Sequence, residues 1–139
     1  MIIAIIDGQG GGIGKALVEK IKADKELRGH VVYALGTNSM ATGQMLRAGA
    51  DEGATGENAI IHNMSHVDII LGPVGIINAN AMMGELTPRM AEAIGSSHAL
   101  KILLPFNKCH IQVVSVPELS IGQHVENAVG ALKKYLESK

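Results

Sequence analysis

The first fifteen residues, MIIAIIDGQGGGIGK, constrain the fold of this chain more than any other stretch. Ile2 to Ile6 is an unbroken apolar run of strand length, as expected of a strand buried on both faces. Five glycines then fall within residues 8–14. Glycine cannot fill a core and loses the most backbone entropy on ordering, so such a cluster serves a loop that something approaches closely. Beyond it, Ile13, Leu17 and Ile21 recur at four-residue spacing, with Lys15, Glu19, Lys20 and Lys22 elsewhere. That pattern predicts an amphipathic helix stopping near Gly29.

The rest of the chain repeats the alternation. His30–Leu35 reads as a second strand, followed by a cap at Asn38 or Ser39 and a short helix through Met45 and Leu46. A short third strand fits Asp51–Ala54, a helix fits Glu57–His66, and Val67–Gly72 is a central strand stopped by Pro73. Thr87–Ile94 reads as a helix with Pro88 in its first turn. Ala99–Leu104 and His110–Val116 read as two more strands, joined by PFNKC and forming the one antiparallel pair. The last helix carries Ile121, Val125, Ala128, Val129, Leu132 and Leu136 on one stripe. Strand-length runs alternating with helices predict one α/β domain over residues 1–139: a three-layer, Rossmann-like, mostly parallel sheet of five or six strands with helices on both faces.

Composition removes several classes of function. A net charge of −1 without a basic run argues against nucleic acid as a partner. No segment approaches the ~20 apolar residues of a membrane helix, and MIIAII lacks the basic start of a signal peptide. The single cysteine, Cys109, excludes an internal disulfide and fits a reducing cytoplasm. With no Trp and one Phe, the core must be aliphatic.

Gly8, Gly12 and Gly14 have the spacing G-x-x-x-G-x-G, after a strand and at the opening of a helix. There the first glycine permits a tight turn, the later ones let backbone approach a pyrophosphate, and the helix N-terminus offers N–H groups to the anion. The stretch DGQGGGIGKAL resembles the phosphate loop of short-chain dehydrogenases/reductases, T-G-x-x-x-G-I-G, at Gly8, Gly12, Ile13 and Gly14. The whole chain is similar to an uncharacterised bacterial family of short Rossmann-like proteins of unknown function beginning IDGQGGGIGK, a likeness that implies a fold and no activity. The dehydrogenase resemblance implies NAD or NADP as cofactor, with Gly8, Gly10, Gly11, Gly12, Ile13 and Gly14 around the phosphates.

The resemblance stops short of chemistry. Asp7 replaces the threonine of that motif. It is read as accepting N–H bonds from its own loop, with a metal or a ligand hydroxyl as the alternative. Strand two ends in Gly36-Thr37-Asn38-Ser39 without the acid that binds ribose in NAD enzymes, which leaves Thr37 and Asn38 nearest the ribose and the cofactor choice open. Tyr135 and Lys139 match the Y-x-x-x-K of the dehydrogenases formally, but as the end of a surface helix. A P-loop ATPase reading fails at Ala16, where Ser or Thr must follow Lys15 to hold Mg²⁺.

Other candidates have plainer accounts. His62 and His66 share a helix face but lack further ligands at recognisable spacing, so no metal is assigned. Cys109 and His110 point to opposite faces of a strand, and the thiol is read as idle. The stretch 73–86 is either a core helix or a lid or dimer contact exposing Met82 and Met83. Gly, Ser, Thr and Asn cluster after strands one, two and the central strand, where open α/β sheets bind ligands. Gly72, Pro73 and Val74 therefore complete the expected nucleotide site, with Asp7 and Asn107 the polar side chains for any reaction. The alternative is a ligand sensor or partner-binding module. A domain this small completes its cleft with a homo-oligomer or another protein.

Overall fold

A computed structural model describes residues 1–106 and 110–139. Five parallel strands, β1 (Ile2–Asp7), β2 (Val31–Gly36), β3 (Glu52–Thr55), β4 (Ile69–Pro73) and β5 (Leu100–Leu104), form one sheet in the order β3-β2-β1-β4-β5. Helices α1 (Gly12–Ala23), α2 (Ser39–Arg47), α3 (Glu57–Asn63), α4 (Pro88–Ser96) and α5 (Ile121–Glu137) connect and cover it.

Strand periodicity builds the two cores. Successive side chains of β1 point to opposite faces, so Ile3 and Ile5 pack with Leu17, Val18 and Ile21 of α1, Met45 of α2 and Val125, Val129 and Leu132 of α5. Ala4 and Ile6 face the other way, onto Ile60 of α3 and Met90, Ala91 and Ile94 of α4. Ile3, Ile5 and Ile6 are fully buried. Truncating any of them to Ala removes about 2–5 kcal/mol, because a close-packed sheet collapses poorly around the void.

Local chemistry sets the helix ends. Asn38 Oδ1 accepts the Ala41 N–H at 2.9 Å to start α2, Thr87 Oγ1 accepts that of Met90 at 3.2 Å ahead of Pro88 in α4, and Ser120 Oγ accepts that of Gln123 at 3.2 Å in α5. Lys20 and Lys22 lie in the last turn of α1, where cations favour the helix dipole.

Three expectations are corrected. α1 stops at Ala23, six residues before Gly29, because Asp24 turns extended and its carboxylate accepts the Glu26 N–H at 2.8 Å. Residues 73–86 are no core helix: a 3-10 turn over Val74–Ile77 leads into a chain of turns. His110–Val116 is not a strand, so the sheet has five strands, all parallel, with no antiparallel pair among the described residues. There His110 and Ser115 take left-handed φ values of 57° and 67°, and Val114 is 75% exposed. β propensity marks residues that fit a pleated, half-buried surface, and these have none to join.

Candidate functional site

The strand order reverses between β1 and β4, so the connections after them diverge at the carboxyl ends of the strands, where open α/β sheets take ligands. The glycine loop lies at that edge of the sheet. Asp7, the last residue of β1, is only 4% exposed. Its Oδ1 accepts the Gly8 N–H at 2.8 Å and its Oδ2 accepts the Gly14 N–H at 2.6 Å. The carboxylate therefore ties the start of the loop to the first turn of α1, which is the loop-shaping geometry expected of it. Burial pushes its pKa up, and the N–H bonds from Gly14, Gly8 and Ile13 oppose that rise without cancelling it.

The glycines have different causes. Gly11 caps α1 at φ 73°, a left-handed conformation that suits glycine. A Cβ on Gly14 would stand 2.6 Å from Met45 Sδ, so this glycine lets α1 close on its neighbours. Gly10 and Gly12 are exposed, and a Cβ on either would meet no described residue within 4 Å. Packing among the described residues explains neither.

Thr37 and Asn38 continue from β2 and lie beside the loop. The Asn38 amide donates to the Gln9 carbonyl at 2.9 Å, and the Thr37 N–H donates to the Asp7 carbonyl at 3.0 Å. Gly72 and Pro73 are buried within β4, where a Cβ on Gly72 would run into the Ile6 carbonyl of β1. Val74 is half-buried at the start of the 3-10 turn. The structure thus brings Asp7, the glycine loop, Thr37 and Asn38 together. It gives Gly72 a packing reason. Asn107 and Cys109 lie outside the described residues.

Glu85 is the residue that sequence reasoning missed. It comes from the turns after β4 and crosses to the β2 side, where its Oε1 accepts from the Gln9 N–H at 2.9 Å, Thr37 Oγ1 at 2.7 Å and Asn38 Nδ2 at 2.8 Å. Burial works to raise its pKa, and these three bonds outweigh it, leaving the carboxyl below its ordinary value. Met82 lies beside it: a Cβ on Gly8 would stand 2.5 Å from Met82 Sδ and 3.2 Å from Glu85 Oε1. One signal was available, since Glu85 is the only acid between Asp68 and Glu92.

The remaining candidates lie elsewhere. The rings of His62 and His66 stack 4.8 Å apart, and His66 Nδ1 bonds to the His62 carbonyl at 3.0 Å. Among the described residues no group of three or more His, Cys, Asp or Glu is placed to hold a metal. Lys139 Nζ sits 4.8 Å from the centre of the Tyr135 ring. Both line a cavity of about 590 Å³ with Met1, Asp68 and Ala99, at the amino ends of the strands and away from the glycine loop. Among the described residues no helix is long and apolar enough to cross a membrane.

A protein-family model described as Domain of unknown function (DUF3842) matches residues 2–137. No curated protein matches the chain.

Proposed function

The chain belongs to that family, whose description carries no activity, and we propose that it binds a nucleotide, NAD or NADP, across the carboxyl ends of β1, β2 and β4. One observation carries this reading: Gly10 and Gly12 stand exposed, with no packing cause among the described residues, where a buried strand turns into the 12-residue helix α1. Helix N-termini present unpaired N–H groups and the positive end of the dipole, and a loop without side chains lets a diphosphate reach them. The strand-order reversal beside this loop is where open α/β sheets take ligands.

A second reading, a sensor that uses the nucleotide as a signal, is favoured by the way Asp7 and Glu85 are engaged. Asp7 gives both carboxylate oxygens to the glycine loop, and Glu85 Oε1 takes donors from Gln9 of that loop and from Thr37 and Asn38 after β2, so both carboxylates are committed to structural hydrogen bonds. A sensor of this kind changes its assembly or shape on binding, and a homo-oligomer is the assembly proposed. Sedimentation with and without ligand separates the two readings.

Thermal melting against NAD⁺, NADH, NADP⁺, NADPH, ATP, GTP, FAD and FMN tests the common claim. Ligand at about one hundred times its Kd adds about 2.7 kcal/mol, several degrees for a domain of this size. A shift with one dinucleotide supports the proposal, and no shift with any of the eight removes it.

A further inference from the structure

Three donors from separate parts of the chain converge on one oxygen beside the glycine loop. The Gln9 N–H belongs to the loop, while the Thr37 hydroxyl and the Asn38 amide follow β2. All three donate to Glu85 Oε1. Among the described residues Glu85 makes no ion pair, and the three donors that hold its Oε1 are neutral. Hydrogen bonds to an ionised acceptor are about twice as strong as neutral ones. The cluster is therefore a small anion-binding site that already contains an anion.

The segment that delivers the anion is held at two points and strained between them. Ala81 and Leu86 are buried in the core, at 5% and 0% exposure, whereas Met83 is 99% exposed. Asn80, Met82 and Met83 take left-handed φ values of 67°, 59° and 57°. Asn tolerates that region, but Met82 and Met83 are strained in it, and such strain gathers at ligand clamps and switches. Its turns are closed by bonds inside the segment, from the Asn80 N–H to the Leu86 carbonyl at 2.8 Å and from the Gly84 N–H to the Asn80 carbonyl at 3.0 Å. Among the described residues, Glu85 ties this segment to the glycine loop and the end of β2 through its hydrogen bonds, beside Met82 packing over Gly8.

Building on the nucleotide reading, we propose that Glu85 is an internal stand-in for a ligand anion. Its carboxylate occupies a phosphate subsite made by Gln9, Thr37 and Asn38, and a ligand with a phosphomonoester at that point enters by displacing it. The 2′-phosphate on the adenosine ribose of NADP has the required chemistry, because strand two ends at this subsite without an acid of its own. NAD offers only a hydroxyl there, which competes poorly with a tethered carboxylate for three donors. Two like charges do not share the site, so Glu85 and its segment swing out as the phosphate enters.

The test compares the wild type with Glu85→Ala and Glu85→Gln against NADP⁺ and NAD⁺ by titration calorimetry, and against orthophosphate by thermal melting. Glu85→Ala is expected to bind NADP⁺ at least about tenfold more tightly than the wild type, with a smaller gain for NAD⁺. Orthophosphate is expected to raise the melting temperature of Glu85→Ala and leave that of the wild type unchanged. Adding Thr37→Val to Glu85→Ala should cancel most of both gains. Glu85→Gln keeps side-chain length and an acceptor oxygen for the three donors, so it serves if the alanine variant folds poorly, and the same direction of gain is expected. Unchanged or weaker NADP⁺ binding in folded Glu85 variants overturns the inference while leaving the nucleotide reading standing. Equal gains for NAD⁺ and NADP⁺ overturn it as well. If no form binds either dinucleotide but Glu85→Ala takes orthophosphate, the nucleotide reading falls and the anion subsite stands. If orthophosphate also fails, both fall.

Discussion

The Asp7 carboxylate accepts the Gly14 N–H at 2.6 Å, so the last residue of β1 clamps the first turn of α1 from within the protein. Asp7→Ala leaves the Gly8 and Gly14 N–H groups buried without that acceptor. A buried donor without a partner costs about 1–3 kcal/mol, so the expected loss is about 2–4 kcal/mol in urea unfolding. Asp7→Asn retains one acceptor oxygen and should lose about half as much. An alanine variant as stable as the wild type would show that the loop holds its shape without Asp7.

The carboxylates of Asp7 and Glu85 give opposite pH dependences. Asp7 has its folded pKa raised above the ordinary 3.8, chiefly by burial. Its contribution to stability is full below that value and is lost as pH rises through the folded pKa. The stability deficit of Asp7→Asn is therefore largest near the acid end and shrinks as pH climbs above 3.8. Glu85 has its folded pKa lowered from 4.5, so its contribution is present above that value and is lost as pH falls through the folded pKa. The gap between the wild type and Glu85→Gln should close with acidification. Denaturant midpoints of all three proteins between about pH 3 and 7 check both signs, and parallel curves would contradict them.

Two glycines of one loop should respond differently to alanine. At Gly8 the new methyl stands 2.5 Å from both Met82 Sδ and Thr37 Oγ1, a close contact expected to cost about 1–3 kcal/mol. At Gly12 it meets no described residue within 4 Å, so Gly12→Ala should leave the melting temperature within a few degrees. If a diphosphate sits on this loop, the same methyl weakens nucleotide binding about tenfold or more, since backbone approach is what the site offers. Unchanged affinity in Gly12→Ala would move the ligand off the loop.

β1, the glycine loop and α1 were legible in the sequence because each signal is local: an apolar run, a glycine cluster and a four-residue apolar spacing. The short strand expected at Asp51–Ala54 lies at Glu52–Thr55, pinned in register against Tyr33–Gly36 of β2. HIQVVSV misled because β propensity does not say whether a partner strand exists. The glycine loop, Thr37 and Asn38 were found as parts of one edge, since the α/β alternation puts those loops at the same ends of the strands. Glu85 was not, because it meets Thr37 across 48 residues of chain and no spacing rule connects the turns after β4 to the end of β2.

Strain in the segment after β4 gives a further expectation. Met83 is 99% exposed and holds φ 57°, so its side chain contributes little packing to offset the conformation. Asn tolerates the left-handed region better than Met. Met83→Asn should add about 0.5–1 kcal/mol in chemical denaturation, whereas Leu86→Ala, at a fully buried anchor, should lose about 2–5 kcal/mol. A destabilised Met83→Asn would mean that Met83 contributes more than its exposure suggests.

The most direct test of a nucleotide site at the carboxyl ends of the strands is the amide ¹H–¹⁵N spectrum of the protein titrated with NADP⁺ and with NAD⁺. Saturable shifts concentrated on Gln9–Gly14, Thr37, Asn38 and Met82–Glu85 are the predicted result. An unmoved spectrum, or shifts confined to the cavity around Met1, Asp68 and Tyr135 at the other end of the sheet, would contradict it.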